Sequence, residues 1–177
     1  MVSRRSVITY LPMLYLDKLD SDYAKDYYDL IHHPDIKPFI PSVHVPASID
    51  IARGILTQHA LLEATGNGIY WGIYTHDRLI GTVGLHSWNA SANTMEISYE
   101  IHPDFKGRGI ATAAVSHCLA YTDANLDIHK IIAYTLTDNI ASQRVAEKAG
   151  FVNKGVLKNN CMYNGKLIDR VILVYPE

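Results

Sequence analysis

Between Met95 and Ala124 the chain sets out three elements in a fixed order. Glu96 to Ile101 alternates polar and apolar residues, the period of a half-buried strand. Pro103 ends that strand, because proline has no N–H to give a ladder. Lys106-Gly107-Arg108-Gly109-Ile110-Ala111 follows. Ala111 to Asn125 then holds almost no helix breaker, which predicts a helix. Any fold proposed for this chain must accommodate a strand, a short glycine loop and a helix in sequence.

That junction has chemical consequences. The start of a helix leaves about four backbone N–H groups without partners, and the macrodipole makes that end positive. Gly107 and Gly109 lack a Cβ, so the loop backbone can approach a ligand closely. Such an end suits a phosphate or pyrophosphate, and Lys106 and Arg108 add positive charge beside it. A Gly-x-Gly at a strand–helix junction also serves as a plain tight turn, so the spacing alone leaves both readings open. Neither standard nucleotide loop is completed. Gly-x-Gly-x-x-Gly fails because Thr112 stands at the third glycine position, and the Gly-Lys-Ser/Thr ending of the P-loop is missing.

Composition narrows the class. The 177 residues are 48% hydrophobic, enough for one globular domain, residues 1–177, with a sizeable core. A net charge of −2 argues against a general nucleic-acid binder. Two cysteines, Cys118 and Cys161, make no disulfide framework, and Cys118 falls on a helical stripe with Ala111, Val115 and Thr122. No apolar run approaches the length of a membrane span, and no signal peptide is read at the N-terminus, so a cytoplasmic protein is expected.

The rest of the chain reads in order. A first strand is predicted within Val7 to Leu19, with Pro12 marking an edge or bulge. Asp20 or Ser21 caps a helix to about Ile31. His32 to Ala47, with four prolines, is a loop. Its histidines His32, His33 and His44 have no Cys or carboxylate pair at ligand spacing, so no metal is assigned. Ser48 or Asp50 starts a second helix with a stripe of Ile51, Ile55, His59 and Leu62, stopped by Gly66-Asn67-Gly68. Ile69 to Thr75 and Leu79 to Trp88 are strands joined across His76-Asp77-Arg78. After the central helix come a strand from His129 to Leu136, a helix from Ile140 to Ala149 capped by Asn139, and a strand from Phe151 to Leu157. Asn159 and Asn160 turn the chain. Cys161 to Tyr163, Asn164-Gly165 and Leu167 to Tyr175 form a hairpin. Its exposed edges leave monomer and homodimer both open.

This order, and several short motifs within it, resembles the GCN5-related N-acetyltransferases (GNAT), in particular their RimJ/RimL-like branch. Lys106, Gly109 and Ala111 stand at the slots of the family's Gln/Arg-x-x-Gly-x-Gly/Ala signature, with lysine a mild departure. Arg78-Leu-Ile-Gly-Thr-Val-Gly-Leu85, Glu96-Ile-Ser-Tyr99, Thr137-Asp-Asn-Ile-Ala-Ser142, Glu147-Lys-Ala-Gly-Phe151, Gly155-Val-Leu157 and Asp169-Arg170 match further family segments. The likeness covers almost the whole chain. It implies an α+β fold in which helices flank a central mixed, mostly antiparallel sheet.

The resemblance also implies a chemistry. The donor would be acetyl-CoA, and the acceptor a primary amine of a peptide N-terminus or a small molecule. Backbone amides of Lys106, Gly107, Arg108, Gly109, Ile110, Ala111 and Thr112 would cradle the pyrophosphate. Tyr99 to Ile101 would pair with the pantetheine arm, and Asn139 would contact the cofactor. Glu96, Ser98 and Glu100 share one strand face, so Glu96 or Glu100 could take the amine's proton. Many relatives protonate the leaving thiolate with a tyrosine in the helix after Asn139. Here that helix has Val145 and Ala146 and no tyrosine, and Ser142 matches the serine proposed as acid in the RimJ/RimL-like branch. A non-catalytic acyl-CoA-binding module is the alternative from another class.

Overall fold

The computed structural model describes residues 6–7, 14–76 and 78–176. Among them, eight strands form one sheet in the order β1-β2-β3-β4-β5-β6-β8-β7. They are β1 (Ser6–Val7), β2 (Leu14–Lys18), β3 (Ile69–Thr75), β4 (Arg78–Asn89), β5 (Thr94–Ile101), β6 (Lys130–Leu136), β7 (Val152–Tyr163) and β8 (Lys166–Tyr175). Every neighbouring pair is antiparallel except β5 and β6. Four helices complete the fold: α1 (Ala24–His32), α2 (Ile49–Thr65), α3 (Ile110–Asn125) and α4 (Ile140–Lys148). The expected α+β class and mostly antiparallel mixed sheet are found.

Two cores lie on opposite faces of the sheet. The larger packs α3 and α4 residues such as Ile110, Val115, Cys118 and Ala146 against Met95, Ile97, Val83, Ile131 and Leu173. The smaller packs α1 and α2 through Ala24, Tyr27, Ile31, Ala52 and Leu56 against Leu19, Tyr74 and Leu79. Leu56 is fully buried, so truncating it to alanine costs about 2–5 kcal/mol. Local signals explain the helix ends. The Ser48 hydroxyl accepts from Ile51 N–H at 3.2 Å, and Gly66 closes α2 in the left-handed region at φ 69°. The Asp26 carboxylate accepts the Leu79 N–H at 3.0 Å and ties α1 to the start of β4.

The strand expected within Val7 to Leu19 is found as β2, and the two-residue β1 pairs beside it, with Ser6 opposite Leu16 and Val7 opposite Tyr15; Pro12 lies outside the described residues. Two sequence expectations are corrected. The expected stripe of α2 keeps Ile55 and His59 on the packed face but loses Ile51, which is 54% exposed, and gains Ala52 and Leu56 as its buried members. Asn159 and Asn160 do not turn the chain. Asn159 adopts φ 48°, yet β7 runs on as one strand whose register shifts between Leu157 and Cys161, which makes a bulge. The Asn164-Gly165 hairpin turn is as expected, with both residues at positive φ and Tyr163 paired to Lys166. Cys118 lies in the core, as its stripe required.

Candidate active site

The parallel ladder between β5 and β6 is short. It pairs Thr94 with Lys130, Met95 with Ile131 and Glu96 with Ile132, and then stops. β5 continues beside β4 to Ile101, and β6 beside β8 to Leu136. The two strands therefore part after Glu96, and among the described residues the β6-facing edge of 97–101 has no strand partner. Backbone amides along such an edge can pair with an extended ligand that carries amides of its own. Tyr99 and Ile101, predicted from the resemblance to pair with a cofactor arm, lie on this open edge.

The glycine loop follows directly. A 3-10 turn over Pro103–Phe105 leads into Lys106, and Gly107 and Gly109 take φ 74° and 76°. A Cβ at Gly109 would touch nothing within 4 Å, so glycine is needed there for its backbone angle and not for space. The first bond of α3 runs from Ala113 N–H to the Gly109 carbonyl at 2.9 Å. The N–H groups of Ile110, Ala111 and Thr112 thus have no partner inside the helix and point out at its positive end. Lys106 is exposed. Arg108 is partly committed to the loop: Nη2 donates to the Asp104 carbonyl at 3.0 Å, and the guanidinium lies 5.4 Å from the Phe105 ring.

The odd and even residues of β5 face opposite ways. Tyr99 points to the α3–α4 side, where its hydroxyl donates to the Ser142 carbonyl at 2.8 Å and accepts from Ser142 Oγ at 3.0 Å. Burial pushes the Tyr99 phenol up to about 12, although the Ser142 bond opposes that rise. The Asn139 side chain accepts from Ser142 N–H at 3.1 Å, so it caps α4 and fixes the turn that carries Ser142.

Glu96, Ser98 and Glu100 point to the α1–α2 side, opposite His86, Gly84 and Thr82 of β4. Burial raises the pKa of Glu96, and the nearby Arg170 charge partly offsets the rise. The Glu100 carboxyl is the more deeply packed. Burial raises it as well, opposed by the Thr82 hydroxyl that donates to Oε2 at 2.6 Å. Tyr70 crosses over Gly84, where any Cβ would collide with its ring, and its hydroxyl meets Ser98 Oγ at 3.3 Å. His59 of α2 stacks on Tyr70 at 3.9 Å with planes 5° apart, and His86 lies parallel to Tyr70 at 6.0 Å. Burial lowers the pKa of both histidines, that of His59 to about 4, which leaves them neutral at pH 7.

The loop between α1 and α2 closes this side. The Tyr163 hydroxyl of the β7–β8 hairpin donates to the Pro38 carbonyl, and Ser42 N–H donates to Asn164 Oδ1 at 3.3 Å. A hollow of about 280 Å³ lies there, lined by His32, Lys37, Ile40, Ser42, Val45 and Asn164. Among the described residues no group of three or more His, Cys, Asp or Glu is placed to hold a metal ion.

The structure thus separates the predicted catalytic residues. Glu96 and Glu100 lie on one face of the sheet and Ser142 on the other, with the open β5 edge between them. The aromatic stack and the Tyr99–Ser142 hydroxyl pair were missed in the sequence. Glycine at position 84 opposite an aromatic was the only local hint of the stack.

The arrangement is an amide-lined slot that ends at a glycine loop, with a carboxylate on one side and a hydroxyl on the other. Residues 13–152 match the model of the acetyltransferase (GNAT) domain. The chain belongs to this family and is an acetyl-CoA-dependent acetyltransferase. It is 36% identical over 124 residues to the uncharacterized N-acetyltransferase YoaA of Bacillus subtilis, covering 69% of this chain and 70% of that one. It is 30% identical over 127 residues to the putative ribosomal N-acetyltransferase YdaF of Bacillus subtilis, covering 71% and 69%. The solved structure of RimL, a ribosomal L7/L12 alpha-N-protein acetyltransferase in complex with coenzyme A, shares the fold with a TM-score of 0.83. That match has 19% identity and covers 96% of this chain and 97% of RimL. No described helix is long and apolar enough to cross a membrane.

Proposed function

We propose that the chain, as a single catalytic domain over residues 1–177, transfers the acetyl group of acetyl-CoA directly to a primary amine in a ternary complex. The acceptor is a peptide N-terminal α-amine or a small-molecule amine. The observation that carries this reading is the parting of β5 from β6 after Glu96, with carboxylate and hydroxyl on opposite sides of the gap.

The cofactor's pyrophosphate sits on the N–H groups of Gly107 to Thr112, with Lys106 and Arg108 beside it. The pantetheine arm pairs with the β5 edge at Tyr99 to Ile101. The acceptor enters from the α1–α2 side. Its nitrogen attacks the thioester carbon as Glu96 takes the N–H proton, and the carbon–sulfur bond breaks. Ser142 gives its hydroxyl proton to the departing sulfur. Tyr99, in contact with that hydroxyl, passes its own O–H proton to Ser142, and the cycle closes when Tyr99 regains a proton from solvent and Glu96 releases its proton to solvent. Glu96 is favoured over Glu100 as base because it stands where the strands part, while Glu100 is held by Thr82. Asn139 acts by holding Ser142 in place.

The test is acetyl-CoA-dependent thiol release with a panel of amines and N-terminal peptides, with products weighed by mass spectrometry. Glu96→Gln should keep acetyl-CoA affinity and lower kcat by roughly 10²–10⁴-fold. Its low-pH limb should also disappear, because the wild-type base is lost as pH falls through the raised Glu96 pKa. Tight acetyl-CoA binding without release for any acceptor would instead establish a non-catalytic binding module.

A further inference from the structure

Arg170 of β8 stands opposite Leu136 of β6, on the face that carries Glu96. Its guanidinium lies 4.2 Å from the centre of the Tyr134 ring. Its Nε and Nη2 both donate to one atom, Asn160 Oδ1, at 2.8 and 2.5 Å. An arginine has five N–H donors, so this geometry leaves most of the fork for something else. The residue is half-buried. Lys18, Lys25, Arg53 and Lys158 each have a carboxylate oxygen within 4.0 Å. Among the described residues Arg170 has none. A cation held in a half-buried place by a ring and an amide, with Glu96 near enough to feel its charge but no carboxylate in contact, has room for an anion from outside.

The register says where that anion would lie. Glu96 pairs with Ile132, so Tyr134 is two residues further along the far lip of the slot. Two strand residues span roughly 7 Å. The guanidinium over Tyr134 is therefore about one dipeptide beyond the level of Glu96, where the amine loses its proton. The carboxylate of a free amino acid, two bonds from its amine, falls short of that reach. A polyamine would bring a second positive charge towards Arg170 and be repelled.

We propose that Arg170, held by Tyr134 and Asn160, selects acceptors with a carboxylate one residue away from the reacting amine, namely peptide N-termini with an acidic side chain in the first two positions. This rests on the transferase reading and adds the acceptor class to it.

The test compares the peptides Ser-Glu-Ala-Tyr and Ser-Gln-Ala-Tyr, with spermidine as a cationic control, using wild type, Arg170→Gln and Arg170→Lys. For wild type, kcat/KM for the Glu peptide should exceed that for the Gln peptide by about tenfold, the size of one charge-assisted hydrogen bond. The difference should lie in KM and shrink with added salt. Arg170→Gln should bring the ratio of the two peptides to near one, whatever it does to the rate they share through the Glu96 base, and Arg170→Lys should keep part of the preference. A wild-type ratio near one, a preference for spermidine, or an equal loss for both peptides in Arg170→Gln would overturn the assignment. The last outcome would mean that Arg170 only braces the sheet. Acetyl-CoA binding with no thiol release for any acceptor would overturn the transferase reading itself.

Discussion

The stack of His59 on Tyr70 makes a quantitative prediction about stability and pH. His59 Nδ1 is buried and, among the described residues, has no hydrogen-bond partner. Burial, with a smaller contribution from His86, lowers the His59 pKa from 6.5 to about 4. A histidine with a depressed folded pKa binds its proton first in the unfolded chain. Well above pH 6.5 it costs the fold nothing. As pH falls below 6.5 the unfolded state gains, and the loss is complete below pH 4. With these two values the cost is about 0.2 kcal/mol at pH 7 and about 2 kcal/mol at pH 5. His59→Phe keeps a flat ring against Tyr70 and removes the proton site. The assay is urea unfolding of both forms at pH 7.0 and 5.0. Relative to wild type, the variant should gain about 2 kcal/mol between the two pH values, which moves the midpoint by about 1 M. The other histidines titrate in both forms and largely cancel. A stability difference that does not change with pH would refute the reasoning, because it would mean that His59 is protonated in the fold without penalty.

Two further outcomes follow from the site. Tyr99→Phe and Ser142→Ala should each slow turnover by about tenfold or more while acetyl-CoA binding is kept, and the double variant should be little worse than either single one. Multiplicative losses in steady-state assays would show that the two hydroxyls act separately. Gly109→Ala should cost about 1 kcal/mol through its left-handed backbone angle alone, lowering Tm by a few degrees and weakening acetyl-CoA binding. An unchanged dissociation constant by calorimetry would remove the loop from the cofactor site.

What could be read in the sequence was local. The alternation of Glu96 to Ile101, the glycine loop at 107 and 109, the Asn139 cap and the Asn164-Gly165 turn each depend on a few neighbouring residues, and each is found. The separation of Glu96 from Ser142 was only half legible. Strand alternation puts Glu96, Ser98 and Glu100 together, but which face they take depends on which helices cover it. The contacts that define the acceptor side link distant positions: Tyr70 meets Ser98, and Arg170 lies over Tyr134. No period or spacing encodes such pairs. The missed bulge at Asn159 has a similar cause. Two adjacent asparagines read as a turn, but pairing to β8 on both sides carries the strand through.

The short parallel ladder makes the sheet a lever. Two wings meet at three rungs, with Met95 and Ile131 buried at the pivot. From there the open edge of β5 extends five residues, about 17 Å. A rotation of about 5° at the pivot moves the far end by about 1.5 Å, and a misplacement of about 1 Å can cost a hundredfold in rate. The placing of the far end of β5, and of the glycine loop that follows it, is thus set by apolar packing at the pivot. A methyl group lost from Ile131 would shift a loop that it never touches.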